Sequence, residues 1–352
     1  MKPILVAVDA GSGNVAVRYN DDTGAVKTFL YRSLVVEGNL QTGAVESDTT
    51  WITAGEDGKD ETYSVTYGGG RFVNTCDPHY QVSAAHRVLV MNALAQSGLG
   101  GREIILADTL PVNQYFHANR SINTARVEAK KASLRKPVRN YAGKYDMPVI
   151  VDVQVYPEAI PAFTSASMDA AYQPVPMFSN ANMVMIVDIG RFTCDIAVVN
   201  KEYQIPQRRT SENGTRVMLE RLHTLIQENE ASLGLEETAE YSLEDIDMAT
   251  RRGYLGSSLQ GLEHLRTDIT PLIQQAAEEF WQTINADIRE TSRSLSGIDV
   301  VLFIGGGANY IGGKLPHIKS CISTGKVHHV VPDEPEKAIV RGVHLIMLSQ
   351  AE

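Results

Sequence analysis

The sequence predicts an α/β protein of two domains, and three observations carry that prediction. The chain has 352 residues, long for a single hydrophobic core. Apolar runs of strand length recur along it with helical segments between several of them, the alternation of an α/β architecture. One strand–turn–strand unit occurs twice, as ILVAVDAGSGNVAVRY at 4–19 and as MVMIVDIGRFTCDIAVV at 183–199.

Taken in order, buried strands are expected at 4–8, 104–107, 149–155, 183–187, 196–199 and 300–304, where apolar residues dominate. The stretch 39–70 is loop-rich, with a short hairpin near 63–67 and a structural turn at Gly68–Gly70. A helix over 78–96 stops at the glycine-rich SGLGG. Thr270-Pro271 opens another, with Thr270 as cap and the proline in the first turn. Its residues Leu272, Ala276, Phe280, Ile284 and Ile288 recur at four-residue spacing and form one apolar stripe. Between 204 and 295 the chain is mostly helical, polar and charged, as expected of an inserted helical subdomain. The basic run KKASLRK at 130–136 reads first as a solvated helix face and second as a filament or partner contact.

Composition narrows the class. Hydrophobic residues make up 43% and charged residues 21%, as in ordinary globular proteins. No apolar stretch approaches the roughly 18–20 residues needed to span a bilayer. The N-terminal apolar run is too short, and meets an acid too early, for a signal peptide. The three cysteines, Cys76, Cys194 and Cys321, are too scattered for a disulfide framework or a metal pair. A cytoplasmic, membrane-free protein is expected. A net charge of −10 does not suit direct binding to DNA, which favours a basic surface.

The chemistry lies in DAGSGNVA. Gly11-x-Gly13-x-x-Ala16 fits a dinucleotide fingerprint in letters only, because that motif must open a helix. Here Val15, Val17 and Tyr19 alternate as a second strand, and NDDTG breaks the chain straight after. A P-loop fails as well: GANYIGGKLP has the wrong glycine spacing and Leu315 where a hydroxyl should hold magnesium. Two readings remain, a plain hairpin turn and a phosphate clamp. In the clamp, backbone N–H groups of Gly11, Ser12, Gly13 and Gly190 donate to phosphate oxygens. Asp9 and Asp188 then face Mg²⁺ through its waters, since magnesium keeps most of its hydration shell. The repetition of the unit favours the clamp. Gly305, Gly306 and Gly307 end the strand VVLFI, either as a strand-to-helix turn or as a bare surface for adenine or ribose. Glu158, between Pro157 and Pro161 on an expected connector, is either a solvated loop acid or the residue that orients an attacking water.

These pieces, together with TLPVNQYF at 109–116, VEAKKASLRK at 127–136, VQVYPEAIPA, FIGGGA and PEKAIVRGVHLI, resemble the actin/Hsp70/sugar-kinase superfamily. Within it the chain resembles the plasmid-segregation actin homologues of the ParM (StbA) type, and the ordered set covers nearly its whole length. The resemblance implies an actin-like (RNase H-like) ATPase fold. Domain I would be 1–162 plus 333–352 and domain II 163–332, with the helical subdomain around 204–295. It implies ATP (or GTP) and Mg²⁺ in the interdomain cleft, and head-to-tail filaments that hydrolysis makes unstable unless capped. A DNA-binding adaptor on a centromere-like plasmid site would couple filament growth to DNA segregation in the bacterial cytoplasm.

Carried over by match, Asp9, Gly11, Ser12, Gly13 and Asn14 form the first phosphate loop, and Glu158 orients the water. Asp188, Gly190 and Arg191 belong to the second loop, with Asp9 and Asp188 as the metal-facing acids. Asn213, Gly214 and Thr215 sit at a helix start near the nucleotide, and Gly305, Gly306 and Gly307 form the adenosine site. Two positions depart from the pattern. Ala16 stands where many relatives place a lysine, with Arg18 on the same strand face as a substitute, and Arg191 stands where a second glycine is usual. The competing function within the superfamily is a small-molecule kinase, which needs a substrate pocket and an Asp that deprotonates a hydroxyl.

Overall fold

Five of the six apolar runs form inner strands of two five-stranded sheets, whereas the run at 149–155, expected to be buried, is an edge strand with Val149 and Val151 exposed. One sheet lies in each of the two units into which the chain divides, Met1–Ser179 with Lys337–Glu352 and Asn180–Glu336. The structure, a computed structural model, describes residues 2–40, 48–66, 71–235, 240–322, 325 and 327–351. The expected turn at 68–70 and the end of the expected hairpin, Tyr67, lie outside the described residues.

The strands of the first unit are β1 (Ile4–Ala10), β2 (Asn14–Asn20), β3 (Val26–Arg32), β4 (Val35–Glu37), β5 (Thr50–Ala54), β6 (Asp60–Val65), β7 (Glu103–Leu110), β8 (Val138–Asn140) and β9 (Val149–Pro157). The large sheet has the order β3-β2-β1-β7-β9. It is antiparallel through β1, β2 and β3 and parallel through β1, β7 and β9. A second sheet runs β4-β6-β5-β8. Helix α1 (Ala84–Gln96) packs against strands of both sheets, so it is apolar nearly all round and buried from Ala84 to Ala95. The expected helix over 78–96 is in fact broken. Pro78–Val82 is a 3₁₀ turn, and Ser83 caps α1 by accepting the His86 N–H at 3.2 Å.

The unit continues with α2 (Val112–Tyr115), α3 (Thr124–Leu134), α4 (Ala159–Ser167) and α5 (Pro176–Ser179), and the C-terminal helix Ala338–Ala351 returns to it. That last helix packs along α4 and against β1 and β2. Its Arg341 donates to the carbonyls of Ser165, Met168 and Asp169 at 2.6, 2.9 and 2.7 Å, which satisfies the exposed end of α4. At the sheet edge, Ile104 faces Ile150 but Ile105 faces Asp152. Val151 is the extra residue of a bulge, 48% exposed, and it interrupts an edge that would otherwise invite pairing.

The second unit repeats the plan with β10 (Met183–Ile189), β11 (Cys194–Asn200), β12 (Gln207–Ser211), β13 (Tyr254–Leu255), β14 (Thr267–Asp268), β15 (Val300–Ile304) and β16 (His328–Val330). Its sheet order is β12-β11-β10-β15-β16, again antiparallel on one side of the central strand and parallel on the other. Its helices are α6 (Thr215–Glu228), α7 (Glu230–Leu233), α8 (Leu243–Arg252), α9 (Thr270–Thr291) and α10 (Ala308–Ile311). The 204–295 stretch thus holds α6 to α9 and also β12 and the small β13–β14 ladder. The α9 stripe is buried through Ala276, Phe280, Ile284 and Ile288, with Leu272 packed at its edge. Its cap differs from expectation: Thr270 is the first helical residue, and Asp268 Oδ1 accepts the Thr270 N–H at 2.8 Å. Among the described residues no helix is long and apolar enough to cross a membrane.

Candidate functional site

Each sheet carries acids near the carboxyl ends of its central strands, Asp9 on β1 and Asp108 on β7 in the first unit and Asp188 on β10 in the second, the end at which open α/β sheets bind ligands. In the first unit β1 extends two residues beyond its expected end, through Asp9 to Ala10, because β2 continues to pair with it: Asp9 lies opposite Ala16 and Ala10 opposite Val15. The turn that follows is tied down from one side. The Gly11 carbonyl accepts the Ser33 hydroxyl at 2.7 Å, the Ser12 carbonyl the Thr75 hydroxyl at 3.0 Å, and the Gly13 carbonyl the Ser33 N–H at 3.0 Å. In a trans peptide the carbonyl and the next N–H point in opposite directions. The N–H groups of Ser12, Gly13 and Asn14 therefore face away from Ser33 and Thr75, as an anion-binding nest requires.

Asp9 Oδ1 accepts the Thr109 hydroxyl at 2.8 Å. Burial raises the Asp9 carboxyl to about 6; the Thr109 hydrogen bond opposes that rise, Asp108 reinforces it and Lys130 opposes it. Thr109 and Leu110 end β7 opposite Tyr156 and Pro157 of β9. Glu158 comes next. It donates its N–H to the Leu110 carbonyl at 3.1 Å and stands directly before α4, inside the first unit. Asp9, Thr109 and Glu158 thus sit at the same end of three adjacent strands. Arg18 lies opposite Ala7, two pairs further from the turn than Ala16, and donates to Thr28 Oγ1 at 2.8 Å.

The second unit builds the corresponding corner with different supports. β10 runs through Asp188 to Ile189, with Asp188 opposite Asp195 of β11 and Ile304 of β15. Gly190 gives its N–H to the Thr193 carbonyl at 2.9 Å, closing the turn. This corrects the expectation that the Gly190 N–H serves a phosphate, since that donor is already used. The start of α6 holds the turn's carbonyls: Thr215 N–H and hydroxyl on Gly190 at 2.9 and 2.8 Å, Arg216 N–H on Arg191 at 2.9 Å, Gly214 N–H on Phe192 at 3.2 Å. The outward N–H groups are those of Arg191, Phe192 and Thr193, by the same peptide geometry. Gly214 and Thr215 accordingly brace the turn with their amides. Asn213 donates its side-chain amide at 2.8 Å to the buried Asp287, which also accepts the Ser211 hydroxyl at 2.6 Å. Arg191 is ion-paired with Glu244 at the start of α8.

The three glycines after β15 do three different things. Gly305 has φ +80°, and a Cβ there would lie 2.4 Å from Asp188 Oδ1, so only glycine lets the acid settle over this backbone. A Cβ on Gly307 would lie 2.2 Å from Ile189 Cγ2, whereas one on Gly306 would meet nothing within 4 Å. Gly306 is the open position. Among the described residues no group of three or more His, Cys, Asp or Glu could hold a metal by itself. Single carboxylates such as Asp9 and Asp188 fit a magnesium ion that keeps its waters and is held mainly by phosphates.

Residues 4–169 match the family described as plasmid segregation protein ParM, N-terminal, and residues 186–317 match the archaeal actin homologue MreB-like, C-terminal. The chain is an actin-like protein of the ParM type. Solved structures agree on the fold. The archaeal actin homologue Ta0583 in complex with ADP shares 15% identity over 98% of this chain and 99% of its own, with a TM-score of 0.69. Bacillus thuringiensis ParM with AMPPNP shares 12% over 100% of both chains, also at 0.69. The 15-stranded ParM filament from Clostridium botulinum shares 15% over 99% and 100%, at 0.63. No curated protein sequence matches.

Sequence reasoning missed several residues at these corners. Lys130, read as part of a solvated face, is 0% exposed and lies 2.9 Å from the equally buried Asp108. A signal existed: Val127, Lys130 and Leu134 share the buried side of α3, so the lysine occupies an apolar stripe. Asp287 likewise falls on the buried stripe of α9 after Ile284. Asp108 ends an apolar run just as Asp9 and Asp188 do, and IILAD could have been read as a third instance of the same pattern.

Proposed function

We propose that the chain is a polymerising ATPase in which the acid-tipped turns of both units hold one nucleoside triphosphate, ATP or GTP, with Mg²⁺. The observation that carries this reading is the repetition of one corner in two sheets of the same order, each with an acid before a turn whose carbonyls are tied from behind. Nucleotides bound to Ta0583 and to Bacillus thuringiensis ParM, and the filament formed by Clostridium botulinum ParM, support it at the level of the family.

The residues take the following parts. Amides of Ser12, Gly13, Asn14, Arg191 and Phe192 donate to phosphate oxygens, while Gly11 and Gly190 shape the turns around them. Asp9 and Asp188 are the acids that would hold the magnesium, through its waters. Bound magnesium supplies positive charge that offsets the charge developing on the transferred phosphoryl group. Glu158, its backbone fixed to Leu110, orients a water in line with the terminal phosphate. Gly306 leaves room for the ribose or base, with Gly305 and Gly307 setting the backbone beneath it. Hydrolysis makes the filaments transient. An adaptor bound to a centromere-like plasmid site links them to DNA, which an acidic chain need not touch, in the bacterial cytoplasm.

Light scattering after addition of ATP and Mg²⁺ tests this, read together with phosphate release. The reading expects a rise followed by decay as phosphate appears, and a rise without decay when AMPPNP replaces ATP. A flat trace, with phosphate appearing instead on an added small hydroxyl compound, would overturn it in favour of a kinase.

A further inference from the structure

Charge is buried at one point in the first unit. Lys130, Asp108 and His86 are all at 0% exposure. Lys130 Nζ lies 2.9 Å from Asp108 Oδ2, donates to Gln81 Oε1 at 2.6 Å and to the Thr109 carbonyl at 2.5 Å, and has His86 Nε2 at 3.3 Å. His86 stays neutral: burial, then the charge of Lys130, holds its ring well below the ordinary range. Asp108 Oδ1 accepts the Thr109 N–H at 2.8 Å. Thr109 is thus gripped at both ends of its backbone, by Asp108 on the N–H and Lys130 on the carbonyl. Its hydroxyl is delivered to Asp9 Oδ1.

A buried ion pair is weak evidence of a role in stability. Burying an ion pair costs desolvation of both groups, and an apolar replacement is often as stable or more so.

We propose that Thr109, locked by the buried Asp108–Lys130 pair, is a positioning residue that fixes the carboxylate of Asp9 for the magnesium of a bound nucleotide. The proposal rests on the nucleotide reading above. Thr109 spends its single hydroxyl proton on Oδ1, which sets the Asp9 rotamer and leaves Oδ2 to accept from a metal-bound water. Lys130 lies 2.9 Å from Asp108 and donates to Gln81 and to the Thr109 carbonyl, so that beside the direct pull of its charge on Asp9 it acts on that acid by holding Thr109.

The test is ATP affinity by calorimetry in Mg²⁺ and in EDTA for wild type, Thr109→Val, Thr109→Ser and Lys130→Met. Loss of a hydrogen bond to a charged group should weaken binding in Mg²⁺ about tenfold for Thr109→Val while leaving the EDTA value within about twofold. Thr109→Ser, which keeps the hydroxyl, should restore the wild-type ratio of the two affinities, and Lys130→Met should lower it as the valine variant does. A purely structural Thr109 would change both affinities together or neither. A wild-type ratio in Thr109→Val would overturn the proposal, and it does so whether or not Lys130→Met folds. Wild-type protein that binds no ATP in either buffer would overturn the nucleotide reading itself, and this proposal with it.

Discussion

Gly306 offers a clean separation of binding from folding. A Cβ added there meets nothing within 4 Å, and its backbone is not in the left-handed region, so Gly306→Ala places a methyl group on an open surface. Substitutions of that kind change stability by no more than about 0.5 kcal/mol, which in a unit of this size moves the melting temperature by about 2 °C or less. If a ribose or base lies on this surface, the methyl group occupies contact space. Overpacking of that order costs about 1–3 kcal/mol, or about 5- to 150-fold in affinity. Gly307→Ala is the control, because its Cβ would lie 2.2 Å from Ile189 Cγ2 and must push the strand that carries Asp188. It should lower the melting temperature by several degrees. The assay is calorimetric titration with ATP beside a thermal melt. A Gly306→Ala protein with unchanged melting temperature and unchanged ATP affinity would refute the assignment of this surface to the nucleotide.

Glu158→Gln should keep ATP binding within about threefold but slow phosphate release by two or more orders of magnitude, since it removes the group that orients water; phosphate release at the wild-type rate would rule out that role. Asp188→Ala should reduce ATP affinity in Mg²⁺ and leave it unchanged in EDTA, and equal affinity to wild type in Mg²⁺ would count against a metal-facing acid. His344 yields a stability prediction. It is 1% exposed, and among the described residues neither ring nitrogen has a hydrogen-bond partner. Burial, helped by the nearby charge of Arg18, lowers its ring from 6.5 to about 4. The unfolded chain therefore takes up a proton as pH falls below about 6.5 while the fold does not, so stability is lost between pH 6.5 and 4 by at most about 3 kcal/mol. His344→Leu should be more stable than wild type at pH 7 by about 1–3 kcal/mol. Denaturant melts should show that gap widening as pH falls, and a constant gap would contradict the assignment.

The architecture was legible because it depends on signals that are local in sequence. Val6–Val8 and Val184–Val187 are buried on both faces, so the apolar runs that hold them needed no context to be read as inner strands. The doubled acid–turn unit exposed the internal symmetry before any contact was known. The supports of the turns were not legible. Ser33, just after β3, and Thr75 reach Gly11 and Ser12 from 22 and 63 residues along the chain, and nothing in a hydroxyl residue's immediate neighbours announces such a bond. The role of the Gly190 N–H was misjudged for a related reason: whether a turn amide faces a ligand or closes the turn depends on which carbonyl lies across from it, here that of Thr193. The burial of Lys130 depends on Asp108 lying on another element, and charge alone placed that lysine in solvent.

The central claim, that the turns of both units serve one metal-bound triphosphate, is tested most directly by a double-mutant cycle on Asp9 and Asp188, measured as ATP affinity in Mg²⁺. The prediction is one ATP per chain in the wild type, a large loss for either Asp9→Ala or Asp188→Ala, and little further loss when the two are combined. Losses that simply add, or a single variant that binds as tightly as wild type, would contradict it.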